Sequence, residues 1–428
     1  MKHSLLIRLA ACLLLGVLLS VLCFSLSSCG IQPGERETTV FIATDMHLFS
    51  DNLLSEDNQG YTKDKFVSDG RIQEYDYQLM EALVEQVNAQ SPEYLILTGD
   101  LTFNGERDSH LEVARLLSGV NPDTKVLVIP GNHDVYSINA VSVIKDKMEA
   151  VDSITAEDFR EIYADFGYEG AVSYDADSLS YIYALDDDKW ALMLDTSLSR
   201  YNEEYDYQIV GGGIEESTLA WLEEKLIYAK ENGIDVISFS HHNLLVHNQL
   251  FEYNYTMRNS DEVLALFAEY EVKLNFSGHL HIQSIKNTQV DGTTIYDVSG
   301  GSLLDYGNRY GRLDIYDNCY SYESKPLPVS EKIREHSFEV FSTKYYYKTF
   351  LTYKTSLGAE DAERATRVLS EINAYYFDGS YEQIRSLVWK NRAFIGLIER
   401  NTKDYDSSYV SSIINVEREN QHSFLIER

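Results

Sequence analysis

The sequence predicts an α/β fold, and three of its features support that prediction. Short apolar runs typical of buried strands alternate with longer segments that carry apolar residues at helical spacing. Five of these runs end in polar residues, as strands do at a sheet edge that carries a site. Two later pairs of runs are separated by short polar turns, which predicts hairpins. The sheet is therefore expected to be mixed, because strand–helix units give parallel strands and hairpins give antiparallel ones.

The predicted elements follow in chain order. Strands are expected where large apolar and β-branched residues cluster, at residues 38–44, 93–99, 125–130, 234–240 and 272–278. Helices are expected where apolar residues line one face, at residues 72–90, 107–117, 215–233 and 260–270. The two hairpins are residues 179–195 and 282–300, the second of which turns at Asp291–Gly292.

A second, helical unit is expected in the last quarter of the chain. Prolines are scarce, and two of the six lie in SKPLPVS, residues 324–330, which marks a domain boundary. Residues 38–323 would then form one domain, and residues 330–428 an accessory domain. The clearest helices of the accessory domain are residues 359–377 and 381–401. No part of it resembles a catalytic motif.

The first residues have the features of an export signal. A basic start is followed by a nearly uninterrupted apolar run and then by the letters LSSC, which end at Cys29. This pattern resembles a bacterial lipoprotein signal, so residues 1–28 are expected to be removed and Cys29 to carry a lipid. Residues 29–37 would tether the protein to the membrane at the cell surface. An uncleaved signal anchor and an ordinary cleaved signal are the alternatives, and all three predict export.

The amino-acid composition limits both the sources of the protein's stability and the classes of partner that it can bind. Of the four cysteines, Cys12 and Cys23 would leave with the signal and Cys29 would be lipidated, so Cys319 has no disulfide partner. Stability must then come from the core or from bound metal. The formal net charge of −32 disfavours polymeric nucleic acid, whose binding depends on Lys and Arg at the phosphates. The oligomeric state is not indicated by the sequence.

Residues of the types that bind metals stand directly after five predicted strands. The five groups are Asp45 with His47, Asp100, Asn132–His133–Asp134, the pair His241–His242, and His279 with His281. Each group alone has an ordinary explanation, because an Asp after a strand is usually a turn residue and adjacent histidines usually pack. Together they predict one shared site, since sites in α/β sheets form outside the carboxyl ends of the strands.

In chain order these groups read D-x-H, G-D, G-N-H-D, a later His, and G-H-x-H. The series resembles the calcineurin-like metallophosphoesterases from about Val40 to about Leu304. The similarity is strongest to the secreted class III cyclic nucleotide phosphodiesterases of bacteria, through LTGDLTFNGE and IPGNHD. It implies two mixed β-sheets that pack as a sandwich flanked by helices. At residues 240–243 the chain has SHHN, where many relatives have two histidines followed by prolines.

The resemblance implies a site for two metal ions that share one carboxylate. One ion would be held by Asp45, His47, Asp100 and His281, and the other by Asp100, Asn132, His241 and His279. Imidazole and carboxylate ligands without a thiolate suit Mn²⁺, Fe, Zn²⁺ or Co²⁺. Two such ions can clamp the attacking and leaving oxygens of an in-line displacement, and the implied nucleophile is a metal-bridging hydroxide.

The resemblance also assigns roles to residues beside the ligands. His133 would face the scissile phosphate and either stabilise the charge of the transition state or protonate the leaving oxygen. Asp134 would orient His133 or else cap a helix, and both interpretations stay open. His241 is expected to be the ligand of its pair, while His242 lines the pocket or packs. Three other features are interpreted as structural: His110 as a surface or packing residue, residues 211–213 as a glycine turn, and residues 201–208 as an exposed acidic loop.

These observations predict a dinuclear-metal phosphodiesterase that hydrolyses a small phosphodiester, with a cyclic nucleotide as the first candidate. A phosphomonoesterase or nucleotidase of the same fold is one alternative, and a non-catalytic metal-binding surface lipoprotein is another. The presence of His133 argues against the non-catalytic protein. A diester carries one negative charge, whereas a monoester dianion would benefit from Arg or Lys contacts that the motif loops lack.

Overall fold

The computed structural model describes residues 31–60, 62–65, 70–347, 358–401, 405–415 and 420–428. The predicted signal segment 1–28 and the predicted lipid anchor Cys29 lie outside these residues. Among the helices of the described ranges, none is both long and apolar enough to cross a membrane. Cys319 is buried and free.

Fifteen strands and eleven α-helices make up the described part of the chain. The strands are β1 (Arg36–Ala43), β2 (Tyr94–Thr98), β3 (Lys125–Ile129), β4 (Val141–Ile144), β5 (Lys147–Ala150), β6 (Ser173–Tyr174), β7 (Tyr181–Ala184), β8 (Lys189–Leu194), β9 (Asp235–Ser240), β10 (Leu274–Ser277), β11 (Ser284–Val290), β12 (Thr293–Ser299), β13 (Arg309–Tyr316), β14 (Cys319–Pro326) and β15 (Ser423–Glu427). The helices are α1 (Asp76–Gln90), α2 (Arg107–Leu117), α3 (Ala156–Ile162), α4 (Asn202–Tyr205), α5 (Glu216–Asn232), α6 (Glu252–Tyr255), α7 (Ser260–Glu269), α8 (Glu331–Glu339), α9 (Ala359–Phe377), α10 (Tyr381–Asn401) and α11 (Tyr405–Ile414).

Two mixed sheets form the body of the protein, which confirms the predicted fold class. The first sheet has the strand order β15-β14-β13-β1-β2-β3, and the second has the order β11-β12-β10-β9-β8-β7-β6. Strands β1, β2 and β3 run parallel, as do β8, β9, β10 and β12. The hairpin partners at the sides of both sheets are antiparallel.

The two sheets pack against each other through apolar side chains. Strand β2 reads YLILT and is buried at every position, as expected for a central parallel strand covered on both faces. Phe276 of β10 lies with its ring 5.5 Å from that of Tyr322 in β14, which joins the two sheets. At the other side, the hydroxyl of Tyr181 in β7 donates a hydrogen bond to the carbonyl of Val128 in β3 at 2.9 Å.

Most of the predicted elements lie where the sequence pattern puts them. The hairpin of β11 and β12 turns at Asp291–Gly292, both with positive φ, as a two-residue primed turn requires. Helix α5 ends at Gly233 in the left-handed conformation that the predicted glycine stop provides. Helix α1 begins at Asp76 rather than at residue 72, because residues Gln73–Tyr75 form a 3₁₀ turn.

Several strands were not predicted. Strands β13 and β14 extend the first sheet beyond the last predicted hairpin, and β14 runs to Pro326, inside the expected boundary segment 324–330. The segment 330–428 is not entirely helical, because its last strand, β15, returns to the first sheet and pairs with β14. The division into a catalytic domain 38–323 and an accessory domain 330–428 stays a prediction.

The C-terminal helices pack beside the loop that follows β10. Leu280 and Ile282 belong to the same buried cluster as the apolar side chains of α9 and α10 and of α11. Asn248, in the loop after β9, donates a hydrogen bond to the hydroxyl of Tyr376 in α9 at 2.7 Å. The C-terminal helices therefore support two of the loops that leave the carboxyl ends of the second sheet.

Candidate metal centre

The predicted metal ligands all lie at one edge of the sandwich, where parallel strands end. The side chains at this edge are Asp45, His47, Asp100 and Asn132 from the first sheet, and His241, His279 and His281 from the second. They are buried except His281, of whose side chain 18% is exposed. The two sheets therefore bring together residues that are up to 236 positions apart in the chain, from 45 to 281.

Asp45, His47 and His281 form the first group. Their possible ligand atoms lie within 4.8 Å of one another. Nε2 of His281 is 3.2 Å from Nε2 of His47 and 3.2 Å from Oδ1 of Asp45. Three ligand atoms that face a common point at such distances can hold one cation.

Asp100, His241 and His279 form the second group, again with ligand atoms within 4.8 Å of one another. Nε2 of His241 is 3.3 Å from Oδ2 of Asp100 and 3.2 Å from Oδ1 of Asn132. The same Oδ2 atom of Asp100 is 3.7 Å from Nε2 of His47, which belongs to the first group. One oxygen of Asp100 thus lies between the two groups, as a shared ligand requires.

Each ligand histidine of the second sheet uses one ring nitrogen for a hydrogen bond to the protein. His241 donates from Nδ1 to the carbonyl of Thr98 at 2.8 Å, and His279 donates from Nε2 to the carbonyl of Asn254 at 3.0 Å. His281 donates from Nδ1 to Oδ2 of Asp305 at 2.7 Å. Such bonds fix the tautomer and leave the other nitrogen with a lone pair for a metal.

The backbone at the site is held in an uncommon conformation. Five of the seven predicted ligands have positive φ, namely Asp45 (54°), His47 (41°), Asp100 (49°), His279 (65°) and His281 (60°). Non-glycine residues rarely adopt this left-handed region, and each costs on the order of 1–3 kcal/mol. The strain is concentrated where the side chains must converge, which is typical of a functional site.

Carboxylate and imidazole groups in the cluster strongly shift one another's pKa values. Burial lowers the pKa of His241, but the Asp100 carboxylate beside it outweighs burial and raises the pKa to about 9. Burial raises the pKa of Asp100, but His241 and its other histidine neighbours hold it well below its usual range. Protons and metal ions compete for the same lone pairs, so a carboxylate–imidazole cluster of this kind favours a metal as ligand.

The residues therefore fit the implied dinuclear centre. Asp100 belongs to the second group and its Oδ2 lies 3.7 Å from His47 of the first, and the donors are nitrogen and oxygen atoms without a thiolate. This donor set suits borderline and hard transition metals and does not distinguish Mn²⁺, Fe and Zn²⁺.

His133 lies against the cluster with one ring nitrogen turned toward it. Its Nδ1 donates to the carbonyl of Phe103 at 2.8 Å and to Oδ1 of Asn104 at 2.9 Å, which leaves Nε2 for the site. Its ring packs edge-on against His47 with 4.9 Å between centroids. The ligand atoms of His133, His47 and Asp100 also lie within 4.8 Å, so His133 can reach whatever the cluster holds.

The structure corrects the predicted role of Asp134. Its carboxylate accepts hydrogen bonds from the backbone N–H groups of Gly131, Leu101 and Thr102 and from the Thr102 hydroxyl, at 2.8–3.1 Å. These four donors occupy both oxygens, so Asp134 neither orients His133 nor caps a helix. It ties the loop after β3 to the loop after β2. Burial, and next the Asp100 carboxylate, raise its pKa to about 7.

The neighbour of His241 has a packing role. His242 is fully buried, accepts a hydrogen bond at Nδ1 from the Thr196 hydroxyl at 2.8 Å, and donates from Nε2 to the carbonyl of Val210 at 2.9 Å. A Cβ at Gly212 would lie 2.2 Å from this ring. The glycine run 211–213 therefore permits close packing against His242 and is not a phosphate loop.

Two other segments interpreted as structural also contact the site. His110 is buried, and its Nε2 donates to the carbonyl of Asp134 at 2.8 Å. The loop 201–208 exposes Tyr205 and Tyr207, but its last residue, Gln208, donates to the backbone carbonyl of the ligand Asn132 at 2.7 Å. This segment therefore contacts the centre through the backbone of Asn132.

Sequence reasoning did not identify four residues that lie beside the centre. They are Asn104 beside His133, Asp305 behind His281, Asn254 behind His279, and the buried Arg71. Asn104 lies within LTFNGE and could have been noticed as a polar residue next to a motif. The other three come from loops without any metal-ligand pattern.

Comparisons with known proteins agree with this geometry. A family described as Calcineurin-like phosphoesterase matches residues 38–283. A search of curated proteins found no significant match.

Solved structures with a similar fold are distant in sequence. A dimetal phosphatase from Danio rerio has 12% identity and a TM-score of 0.49, and the match covers 68% of this chain and 97% of that one. The inner membrane complex anchor GAP50 from Plasmodium has 9% identity and a TM-score of 0.37, with 72% and 95% covered. The Thermus thermophilus sulfate thiohydrolase SoxB has 15% identity and a TM-score of 0.35, with 72% and 61% covered. Similarities this distant assign no substrate.

Proposed function

The chain belongs to the calcineurin-like phosphoesterase family, and on that premise we propose that it is a phosphodiesterase for a small substrate, with a cyclic nucleotide as the first candidate. The coarser statement needs no proposal, because the family and the two His/Asp groups make it a metal-dependent phosphoesterase. The proposal adds that it is a surface lipoprotein anchored through Cys29.

The observation that carries the proposal is the placement of His133. Its Nδ1 is engaged by Phe103 and Asn104, which leaves Nε2 free to act, and a ring nitrogen of His133 lies within 4.8 Å of ligand atoms of His47 and Asp100. A buried imidazole held in one orientation next to the reacting group can move a proton. The alkoxide leaving group of a natural diester needs that proton more than an activated phenolate does. A purely metal-binding lipoprotein would have no use for this arrangement.

The residues of the site divide the chemical work. Bound at the two groups, metal ions would polarise the phosphoryl oxygens and supply a nucleophile by lowering the pKa of water. Asp100 sets the spacing between the groups, and Asp305 holds His281 in its ligand orientation. Because Nδ1–H of His133 is engaged by Phe103 and Asn104, Nε2 carries a lone pair in the neutral ring and a proton only in the protonated ring, which could then donate it to the leaving oxygen. Burial of the cluster excludes bulk water, which strengthens every one of these electrostatic interactions.

Charge favours a small substrate over a polymer. The net charge of −32 gives no electrostatic attraction for a long polyanion, whereas a single phosphoester can be neutralised locally by the metals. The choice between diester and monoester is closer than the sequence suggested. Arg71 is buried near the cluster, so a cation for a second phosphate charge is present after all. This observation favours a phosphomonoesterase or nucleotidase as the second candidate.

The deciding experiment compares kcat/KM for four substrates with the purified, Mn²⁺-loaded protein at one salt concentration. The substrates are a 3′,5′-cyclic nucleotide, a 2′,3′-cyclic nucleotide, a nucleoside monophosphate and single-stranded DNA. We expect one of the cyclic nucleotides to be hydrolysed best. Highest kcat/KM for the monophosphate would establish the monoesterase instead, and highest kcat/KM for DNA would contradict the small-substrate argument.

The control for this comparison is the variant Asp100→Ala. Because Oδ2 of Asp100 lies between the two groups, its loss should remove both metal content and activity on every substrate. Activity that survives in Asp100→Ala would have to come from a contaminating enzyme or from a different site.

A further inference from the structure

Arg71 lies on the wall of the metal centre although no motif includes it. Its guanidinium carbon is 5.9 Å from the centre of the Phe103 ring, within the range of a cation–π contact. The carbonyl of Phe103 accepts the hydrogen bond that orients His133. The residue is 9% exposed and is therefore largely buried.

The backbone around Arg71 is tied to the other side of the centre. The N–H group of Ile72 donates to the carbonyl of Leu304 at 3.0 Å, in the loop after β12. The side chain of Gln73 donates from Nε2 to the carbonyl of the ligand His47 at 2.7 Å. These contacts fix the segment between the loop that carries His47 and the loop after β12.

The charge of Arg71 acts on the site. Burial is the largest cause that lowers the pKa of His47, and Arg71 is the next. Burial also lowers the pKa of His133, where Asp100 opposes it and Arg71 adds to it. The contact of Arg71 with Phe103 and the hydrogen bond of Gln73 to His47 place this segment beside the residues that carry or orient both histidines.

We propose that Arg71 is a phosphate-binding residue, whose guanidinium donates hydrogen bonds to a non-bridging oxygen of the phosphoester held at the centre. This inference rests on the phosphoesterase function proposed above and extends it by one recognition residue. It does not depend on whether the preferred substrate is a diester or a monoester.

The chemistry of guanidinium supports a phosphate oxygen as its ligand. The group presents five N–H donors in a planar fork that matches phosphate and carboxylate oxygens, and it keeps its charge at any pH at which the protein is folded. The protein is strongly acidic overall, so a buried cation beside the metal ligands is the local exception to its surface. An anionic phosphoester that enters the site meets this cation after passing an acidic exterior.

The test is the binding of inorganic phosphate to the metal-loaded protein, measured by isothermal titration calorimetry. The variants are Arg71→Met, which removes the charge, and Arg71→Lys, which keeps the charge without the fork. Arg115→Met is the matched control, because Arg115 is an exposed arginine of α2 that pairs with Glu112. Metal content is measured on every sample.

Arg71→Met should raise the Kd for phosphate about 10–100-fold, which is the usual cost of losing hydrogen bonds to a charged group. Arg71→Lys should recover part of this loss, and Arg115→Met should leave the Kd unchanged. A Kd within about twofold of wild type in Arg71→Met, with metal content intact, would overturn the proposal. Loss of metal from both Arg71 variants would overturn it as well, because Arg71 would then serve to build the centre.

The phosphate-binding result for the Arg71 variants can be interpreted without knowing the preferred substrate. Phosphate binding is measured without turnover, so it can succeed even if cyclic nucleotides prove to be poor substrates. In a second readout, Arg71→Met should lower kcat/KM more for p-nitrophenyl phosphate than for bis(p-nitrophenyl) phosphate, because the monoester carries the additional charge. Unchanged kcat/KM for both substrates would contradict direct contact with a non-bridging oxygen, because both esters carry such oxygens.

Discussion

Replacing Asp305 by Asn should weaken one of the two metal ions selectively. Asp305 is 2% exposed and accepts the Nδ1–H of His281 through Oδ2 at 2.7 Å, a short charge-assisted bond. Burial lowers the pKa of His281, but the Asp45 carboxylate and this hydrogen bond raise it well above its usual value. By accepting the Nδ1–H, the Asp305 carboxylate also makes Nε2 of His281 a stronger electron-pair donor to a metal.

The expected loss of metal affinity depends on whether the substitution keeps a hydrogen-bond acceptor for the Nδ1–H of His281. Loss of a carboxylate behind a ligand histidine typically costs 10–100-fold in metal affinity. Asp305→Asn retains an oxygen that can accept the Nδ1–H and should lie near the lower limit, about 10-fold. Asp305→Ala removes the acceptor and should lie near the upper limit, about 100-fold. Only the ion held by His281 should be affected, because the ligands His241 and His279 are oriented by backbone carbonyls.

The assay is metal content after equilibration with graded concentrations of a chelator buffer. The chain offers a matched control in Glu74→Gln, since Glu74 accepts from Nε2 of His336 at the same 2.7 Å but in a partly exposed pair. The Asp305 variants should lose one ion at lower chelator concentration than wild type, and Glu74→Gln should behave as wild type. Loss of both ions at the same chelator concentration would refute the argument that Asp305 strengthens metal binding by His281. The same dependence of metal content on chelator concentration in all the proteins would refute it as well.

The remaining predictions concern different parts of the chain. His133→Asn should retain both metals and lower kcat about 10²–10⁴-fold, with a smaller loss for a nitrophenyl than for an alkyl leaving group, and equal losses would exclude proton transfer. Burial lowers the pKa of His110 to about 3, against about 6.5 when unfolded, so the unfolded state binds more protons and stability falls as pH drops from 6.5 toward 3. Between pH 7.5 and pH 5 this loss is about 2 kcal/mol, and His110→Gln should lack it in chemical denaturation, with His336→Gln as control. Cys29→Ala should release the protein from membranes or block its processing, and membrane association at full length in both proteins would favour the signal anchor. Chelation should lower the Tm of the wild type, as measured by calorimetry, and an unchanged Tm would contradict a structural contribution of the metals.

The ligands of the centre could be predicted because their signal is local. Each ligand follows an apolar run within a few residues, and the runs are strong enough to identify as strands. Strand β2, for example, is apolar at four of its five positions, and Asp100 comes two residues later. Parallel neighbours in the first sheet bring Asp45 and Asp100 to one edge, whereas His241 follows a strand of the second sheet and joins them through the packing of the two sheets.

The support of the centre could not be predicted, because it depends on pairings that the sequence does not encode locally. Asp305 and Arg71 reach the site from loops whose position is set by the packing of strands far away in the chain. The role of Asp134 was wrong for the same reason. Asp134 was expected either to orient His133 or to cap a helix, but the left-handed turn at Asp100 brings the N–H groups of the following loop to its carboxylate instead.

Strand β15 shows a second limit of the sequence pattern. Ser423–Glu427 alternates weakly in exposure and is short, and it becomes a strand only because β14 offers it an antiparallel partner. Edge strands of this kind are defined by a neighbour rather than by their own periodicity. The helical interpretation of the segment 330–428 was correct for the helices and missed the strand that ends it.

The strain in the ligand loops explains why the metals should stabilise the fold as well as act on substrate. Five ligands in left-handed conformations cost on the order of 1–3 kcal/mol each, a sum comparable with the 5–15 kcal/mol that stabilises a typical domain. Clustered buried carboxylates and imidazoles add the cost of desolvated charge. The described part of the chain has no disulfide to offset these terms, since Cys319 is free.

Ions that bind the folded state alone stabilise it in proportion to the logarithm of their concentration over Kd, and two ions act on the same five strained residues. The free energy that positions the ligands and the free energy released when they bind metal are therefore linked, so a variant that weakens the centre should also lower the stability of the sheet edge that carries it.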